Sequence, residues 1–253
     1  LNAPLEPRSA AGKLLAGVLL DDRDNFKAIA RRELERISFE RDEALARSRM
    51  NLDSVLHRRI AEIKARECGL EIEDIIYASI LHNFMEMSVY LVPPLSQCLC
   101  NNRLEIYPRK DCELESIHSH DALEMVKDHI NSIIGNRANS NVTQSWATTL
   151  MPLPHLRNLY NSSIFYGYFL KSASFRHALE TTKEEEEEEG GMLGKVEMMR
   201  VAKPSSDEGV NVISRHCCAL FGDECGFVCV SLGSVKRLVL EAVGFGSFLW
   251  DAE

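Results

Sequence analysis

Apolar residues recur at three- and four-residue steps along most of this chain, and this spacing constrains the fold more than any other feature. The first run follows Asp22, a residue suited to the N-cap of a helix, and extends into the forties. A second run starts at Leu52 and stops at Gly69, and a third starts at Ile72. Three consecutive helices with short connections predict a helical bundle.

The second half of the chain continues the helical pattern with one exception. Residues 103–108 alternate with a period of two, which indicates a short extended segment or edge strand. A helix is predicted after Asp121, and the stretch from Pro154 to about Glu180 is apolar on nearly all sides, as in a buried helix. The sequence therefore predicts a mainly α, bundle-like domain of many helices with at most one short strand.

Six consecutive glutamates, Glu184 to Glu189, divide this helical pattern. Because such a run repels itself and has nothing to bury, we interpret residues 181–203 as a flexible acidic linker. The helix pair predicted within residues 204–253 is too small to bury a core alone. We therefore expect residues 1–253 to form a single helical domain, in which this C-terminal pair packs back onto the main body.

Composition argues against two classes of protein. The chain has 29 Lys and Arg against 38 Asp and Glu, a net charge of -9, so it lacks the basic character of a nucleic-acid-binding protein. It also lacks an apolar run long enough for a membrane-spanning helix. The sequence predicts neither nucleic-acid binding nor a membrane span.

The sequence motifs do not indicate a reaction. The segment Gly191 to Lys195 resembles part of a phosphate-binding loop but lacks its first Gly and the Ser or Thr after Lys. The pair Gly244 and Gly246 lacks the third Gly of a dinucleotide fingerprint, and helix packing explains it better. We therefore assign no catalytic residue and no cofactor, and we favour a non-enzymatic protein over an enzyme.

The eight cysteines could suggest zinc sites, but their spacing is unfavourable. Structural zinc sites usually take paired cysteines from two turns, and each cysteine cluster here supplies at most one such pair. We expect all eight thiols to be free and without metal. A redox role for Cys217 and Cys218, next to His216, stays open.

Two polar stretches, around residues 105–120 and 171–177, are expected at the surface and are the best sites for contact with a partner. The basic residues beyond them, in the last helix, could extend this surface. The alternative is that these are solvated helix ends, paired internally with Glu180 or Glu241. The candidate interaction residues are Arg103, Glu105, His118, Lys171, Arg176, His177, Lys236 and Arg237.

Five stretches of the chain are similar to known proteins: Leu1 to Ser9, Arg103 to Pro108, Glu113 to Ser119, Tyr166 to Ser174, and Lys236 to Val243. Together they resemble the plant family of UV-B-induced chloroplast proteins, whose shared region is catalogued as domain of unknown function 760. The similarity continues to residue 251 and so covers essentially the whole chain.

This resemblance implies a place in the cell and no reaction. It implies a nuclear-encoded plastid protein, with a transit peptide upstream of Leu1, whose abundance responds to light or ultraviolet stress. Our first hypothesis is a non-enzymatic helical module of the chloroplast stroma that binds a protein partner during stress acclimation. The alternative is a small-molecule-binding or enzymatic helical domain with a pocket near the 154–180 helix, beside Tyr160, Tyr166 and Trp146.

Overall fold

Helices account for most of the chain that the structure describes, and the prediction of a mainly α fold is confirmed. The computed structural model describes residues 3–50, 55–101, 103–135, 147–184, 203–222 and 226–253. A 3-10 turn at Arg23–Asn25 links the first two helices. In these ranges the α-helices are α1 (Ala10–Asp21), α2 (Phe26–Met50), α3 (Val55–Glu86), α4 (Leu95–Cys98), α5 (Asp111–Glu115), α6 (His120–Ile134), α7 (Leu153–Glu184), α8 (Asp207–Phe221) and α9 (Leu232–Ala252).

Helices α2 and α3 form an antiparallel hairpin, and α1 packs beside α3. The Cys68 thiol lies 4.0 Å from the carbonyl oxygen of Ile37 across the two helices. The predicted break at Gly69 is wrong, because α3 runs through it from Val55 to Glu86. A glycine inside a helix costs only about 1 kcal/mol relative to alanine, and the packing of α3 on both sides of Gly69 outweighs that cost.

Four short strands form one mixed sheet, where the sequence predicted at most one strand. The spatial order is β1 (Leu99–Cys100), β2 (Arg103–Leu104), β4 (Phe227–Ser231), β3 (Thr148–Pro152). Strand β2 lies within the predicted extended segment and pairs with β4 in parallel, while β3 pairs with β4 antiparallel. The other strands were missed because they span only two to five residues, too few for a period of two to be recognised.

Helices α7 and α9 form the centre of the core. Helix α9 is buried along nearly its whole length, whereas α7 buries one face and reaches the surface near Phe175. The two helices approach closely at glycines, as the sequence indicated. A Cβ atom on Gly167 would lie 2.0 Å from the carbonyl oxygen of Val243, and one on Gly246 would lie 1.9 Å from that of Ile164.

The two helices after the predicted linker contact the rest of the molecule. Helix α8 packs on α3 and α7, and α9 packs on α3, α6 and α7. The carboxylate of Glu253 accepts hydrogen bonds from the Tyr168 hydroxyl at 2.7 Å and from the backbone N–H of Ser205 at 3.0 Å. Most of the predicted linker lies outside the described residues, and residues 181–184 belong to α7.

None of the helices in the described ranges is both long enough and apolar enough to cross a membrane.

Candidate functional site

The candidate interaction residues of the first polar stretch lie in two places. Arg103 and Glu105 form an ion pair of 2.7 Å at the surface beside β2. His118 lies further along, between α5 and α6, where it lines a pocket of about 230 Å³. Lys171 and Phe175 of α7 and Ser247 of α9 line the same pocket. The structure thus brings one residue from each polar stretch, His118 and Lys171, to a single site.

The ionisable groups of this pocket largely compensate one another. Burial, and to a smaller extent the charge of Lys171, lower the pKa of His118 to about 4. The imidazole is therefore neutral near pH 7. The ammonium of Lys171 forms an ion pair of 3.1 Å with Asp251. The pocket therefore carries little net charge, and it offers a ligand mainly apolar walls and serine hydroxyls.

The remaining candidates do not form one basic patch. Arg176 and His177 are exposed on α7, whereas Lys236 lies at the other end of the neighbouring helix α9. The ammonium of Lys236 is 3.0 Å from the carboxylate of Glu115 and 3.4 Å from that of Asp111. These contacts support the alternative in which the basic side chains are paired within the protein.

Arg237 is a core residue and not a surface residue. Its side chain is 2% exposed, forms an ion pair of 2.8 Å with Glu241, and donates a hydrogen bond of 3.0 Å to the carbonyl oxygen of Tyr90. The backbone N–H of Val92 donates to the same Glu241 oxygen at 3.0 Å. Burial raises the pKa of Glu241, and the charge of Arg237 opposes this shift. Adjacency to Lys236 in the sequence had suggested a shared surface, but neighbouring residues in a helix point about 100° apart.

A chain of buried hydrogen bonds continues from Glu241. The Tyr160 hydroxyl donates to Glu241 at 3.1 Å, so its oxygen accepts from Nε2–H of His216 at 2.9 Å. This leaves Nδ1 of His216 to accept from the Tyr77 hydroxyl at 3.4 Å. Burial lowers the pKa of His216 to about 3, which keeps the ring neutral. The network joins α3, α7, α8 and α9 in the core. Its side chains are enclosed there, and their hydrogen bonds fix the orientation of these four helices.

Two of the three residues named for the alternative pocket, Tyr160 and Tyr166, have defined contacts in the described part of the chain. Tyr160 is enclosed in the network just described. The Tyr166 hydroxyl donates to the carbonyl oxygen of Met125 at 3.1 Å, and its ring stacks on His129. Trp146 lies outside the described residues. The pocket near α7 lies one to two turns further along the helix, at Lys171.

In the described part of the chain the cysteines are free, and no cluster of metal ligands is formed. Seven cysteines are free thiols there, and Cys225 lies outside the described residues. No group of three or more His, Cys, Asp or Glu side chains in the same ranges could hold a metal ion. Burial raises the pKa of Cys217 to about 12, which disfavours the thiolate that a reactive cysteine needs. The absence of metal and disulfides in the whole protein stays a prediction, testable by thiol counting and elemental analysis.

A row of exposed apolar side chains lies on the α2–α3 hairpin. Leu56, Ile60, Ile63 and Leu70 of α3 are 66%, 50%, 40% and 38% exposed. Their spacing of four, three and seven residues places them on one side of the helix. We call these four residues the outer stripe. Apolar rows of this kind normally pack against another element, whereas this row is exposed within the described residues.

The outer stripe is exposed because different residues form the contact between α2 and α3. Ala61, Lys64 and Cys68 of α3 lie against α2, and the ammonium of Lys64 is 2.5 Å from the carboxylate of Glu40. Each of these residues directly follows a position at the spacing of the outer stripe. Their side chains therefore point about 100° away from the stripe around the helix axis. The three- and four-residue spacing predicts that these apolar residues share a face, and the structure shows that this face is exposed.

The tip of the hairpin differs in charge from the rest of the protein. Residues 39–66 contain seven Lys and Arg against five Asp and Glu, a net charge of +2, whereas the remainder contains 22 against 33. Arg59 and Arg66 border the outer stripe on the side away from α2. Arg59 lies 3.1 Å from Glu62, and Glu67, which shares the stripe spacing, lies 3.9 Å from Lys64. The tip therefore combines a small excess of basic residues with exposed apolar side chains, on a protein that is acidic as a whole.

Comparison with known proteins identifies the class of this helical protein. The family model for a protein of unknown function, DUF760, matches residues 55–182, from the start of α3 to near the end of α7. The chain belongs to this family. It is 31% identical to a UV-B-induced chloroplastic protein of Arabidopsis thaliana over 325 aligned positions, which cover 99% of this chain and 75% of that relative. No solved structure matches this chain.

Proposed function

We propose that this chain is a non-enzymatic protein of the chloroplast stroma that binds a protein partner through the outer stripe during acclimation to light or UV stress. The observation that carries the proposal is the exposure of the four large apolar side chains on α3. The chloroplast setting and the UV response are supported by the relative's description.

The partner is a protein segment that forms an amphipathic helix. The stripe has the width and length of one helix-binding surface, from Leu56 to Leu70, or about 21 Å at 1.5 Å per residue. Arg59 and Arg66 border it, so Asp or Glu residues beside the partner's apolar side chains complement the charge. We therefore expect an acidic amphipathic helix in the partner, and no nucleic acid.

The same charges disfavour a second copy of this chain as the occupant. If two α3 helices packed antiparallel about Ile63, Arg59 of one copy would lie near Arg66 of the other. Like charges at these flanking positions oppose the pairing.

Two designed helical peptides test the proposal. Both carry leucine and isoleucine at the heptad contact positions, and one has glutamate and the other lysine at the flanking positions. Fluorescence anisotropy should show that the glutamate peptide binds at least tenfold more tightly, with an affinity that falls as salt is added. The double substitution Ile60→Asp and Ile63→Asp should abolish this binding without unfolding the protein, because both side chains are already exposed.

A matched control is the double substitution Leu14→Asp and Met125→Asp, at residues with similar exposure on α1 and α6. This variant should bind the glutamate peptide like the wild type. The proposal is wrong if neither peptide binds, if both bind equally, or if the control loses as much binding as the stripe variant. Binding to anionic lipid vesicles in place of the glutamate peptide would assign the stripe to a membrane surface instead.

A further inference from the structure

A second cavity, of about 270 Å³, lies under the N-terminal segment of the chain. Residues 3–7 cover it, and its walls come from α1 and α3. It is separate from the outer stripe, because the stripe occupies residues 56–70 of α3 and the cavity is lined by residues 74–81 of that helix. Its walls are mostly apolar, with Leu19 and Leu81 among the largest side chains.

Small residues create this cavity. At Gly12 the helices α1 and α3 are in tight contact, since a Cβ atom there would lie 2.7 Å from Cβ of Asp74. One to two turns further along α1, Ala16 and Gly17 line the cavity, and a Cβ atom on Gly17 would have no neighbour within 4 Å. Ala78 lines it from α3. The gap therefore follows from the small side chains at these positions.

The charged residues that line the cavity, within the described part of the chain, are two acids, Glu6 and Asp74. Glu6 is exposed at the rim. Oδ2 of Asp74 accepts the backbone N–H groups of Arg8 and Ser9, each at 2.7 Å, and Oδ1 lies 3.2 Å from the guanidinium of Arg215. A carboxylate has about four acceptor sites, and these three contacts leave one of those of Asp74 unused.

The surrounding charges also favour a cation. Arg215 is shared with Glu73, whose carboxylate lies 2.7 Å from it, so one guanidinium faces two carboxylates behind the cavity wall. Glu6 adds a third carboxylate at the rim. The side chain of Arg8 is exposed and is the other basic group next to the covering segment. Glu6, Glu73 and Asp74 against Arg8 and Arg215 leave a local balance of -1 around the cavity.

We propose that this cavity binds a small organic cation, with its apolar body between α1 and α3 and its ammonium group beside Glu6 and Asp74. A cavity of about 150 Å³ is sufficient for benzene, so 270 Å³ is sufficient for about ten non-hydrogen atoms. The ligand class is therefore an aromatic or alkyl primary amine of that size. The proposal is independent of the partner that binds the outer stripe.

Three compounds of nearly equal shape test this inference: 3-phenylpropylamine, 3-phenylpropan-1-ol and 3-phenylpropionate. In a titration followed by ¹H–¹⁵N correlation spectra of the 253-residue chain, the amine should bind at least tenfold more tightly than the carboxylate and several-fold more tightly than the alcohol. The shifted resonances should include Gly17 and Ala78. Glu6→Gln should reduce the preference for the amine over the alcohol.

The substitution Gly17→Leu fills the cavity and should weaken amine binding at least tenfold. Gly69→Leu is its control, because it makes the same change in α3, where the nearest atom to an added Cβ is 3.7 Å away and where Gly69 lines neither of the two described cavities. The control should bind like the wild type. The inference is overturned if no compound binds, if the three compounds bind equally, or if Gly17→Leu leaves amine binding unchanged.

Discussion

At the scale of single residues, the buried polar network determines how the protein responds to pH and to loss of charge. His216 is enclosed between Tyr77 and Tyr160, and its imidazole is neutral because burial lowers its pKa to about 3. Arg237 and Glu241 place a full ion pair in the same core. Groups of this kind stabilise the fold only in one ionisation state, so each gives a measurable prediction.

Acidification should destabilise the protein through His216. An unfolded histidine titrates near pH 6.5, whereas His216 in the folded chain titrates near 3, so between these values only the unfolded state binds the proton. The free energy of unfolding should therefore fall by about 1.4 kcal/mol per pH unit from this residue as the pH drops below 6.5. Urea unfolding at pH 7, 6 and 5 measures the slope, and His216→Gln should reduce it. Equal slopes for the two proteins would contradict the assignment.

Removing Arg237 alone should be more harmful than removing the whole ion pair. Arg237→Met leaves the Glu241 carboxyl buried without its cation, and breaking a buried pair in this way typically costs about 3–5 kcal/mol. The double substitution Arg237→Met and Glu241→Met replaces both groups by apolar side chains and should recover part of that loss. Urea unfolding of the three proteins gives the comparison. A single variant within 1 kcal/mol of the wild type would show that the pair is dispensable.

At the scale of elements, the contact between α7 and α9 depends on glycine. Neither Gly167 nor Gly246 can accept a Cβ atom without overlap with the backbone of the opposite helix. The two helices are therefore held at a distance that only glycine permits at these positions. Because α9 is the most completely buried helix of the described chain, a change in its distance from α7 affects the whole core.

Gly167→Ala should destabilise the protein even though alanine is the better helix former. The added methyl group would force α7 and α9 apart, and overpacking of this kind typically costs about 1–3 kcal/mol. Gly69→Ala adds the same methyl group to α3 where space is available, and should stabilise by up to about 1 kcal/mol. Thermal and urea unfolding distinguish the two. A stabilised Gly167→Ala variant would mean that the helices are further apart than described.

The sequence predicted helices more reliably than it predicted their contacts. The glycine pair in α9, Gly244 and Gly246, was correctly assigned to helix packing, because few other roles suit a glycine within an apolar helix. Gly69 was interpreted as a helix end, because a glycine at a helix end and a glycine within a helix look alike in the sequence. Only the packing of α3 on both sides of Gly69 distinguishes the two. The two-residue strand β1 carries too little periodicity to be recognised.

The candidate site was predictable only in part, for a related reason. Periodicity shows that Leu56, Ile60 and Ile63 share a face, but not whether another element covers that face. Adjacency in the sequence suggested that Lys236 and Arg237 belong to one surface, whereas the helix turns Arg237 into the core. His118 and Lys171 were both named as candidates, but their meeting at one pocket depends on tertiary structure.

At the scale of the whole molecule, the chain presents separate surfaces on one helical framework. The hairpin carries the outer stripe, and the cavity under residues 3–7 lies at the other half of α3. Helices α8 and α9, which follow the acidic segment in the sequence, pack on α3 and α7 and belong to the same framework. We propose that these parts form one domain.

Cutting the chain within the acidic segment should therefore leave the two pieces together. A protease site introduced between Gly190 and Gly191 allows the cut to be made in the folded protein. Because α8 and α9 bury their apolar faces on α3 and α7, the pieces should elute as one species on gel filtration and separate only in denaturant. Two independently eluting fragments would show that residues 204–253 form a separate domain.

The central claim is that the outer stripe binds a protein, and site-specific photo-crosslinking tests it most directly. A photo-crosslinking amino acid is placed at position 60 in the stripe or at position 14 on α1, and each protein is illuminated in stroma from UV-B-treated leaves. We expect position 60 to crosslink, by mass spectrometry, to an acidic amphipathic helix of one partner, and position 14 not to do so. Crosslinks from position 60 only to lipid, only to a second copy of this chain, or to no reproducible protein segment would contradict the account.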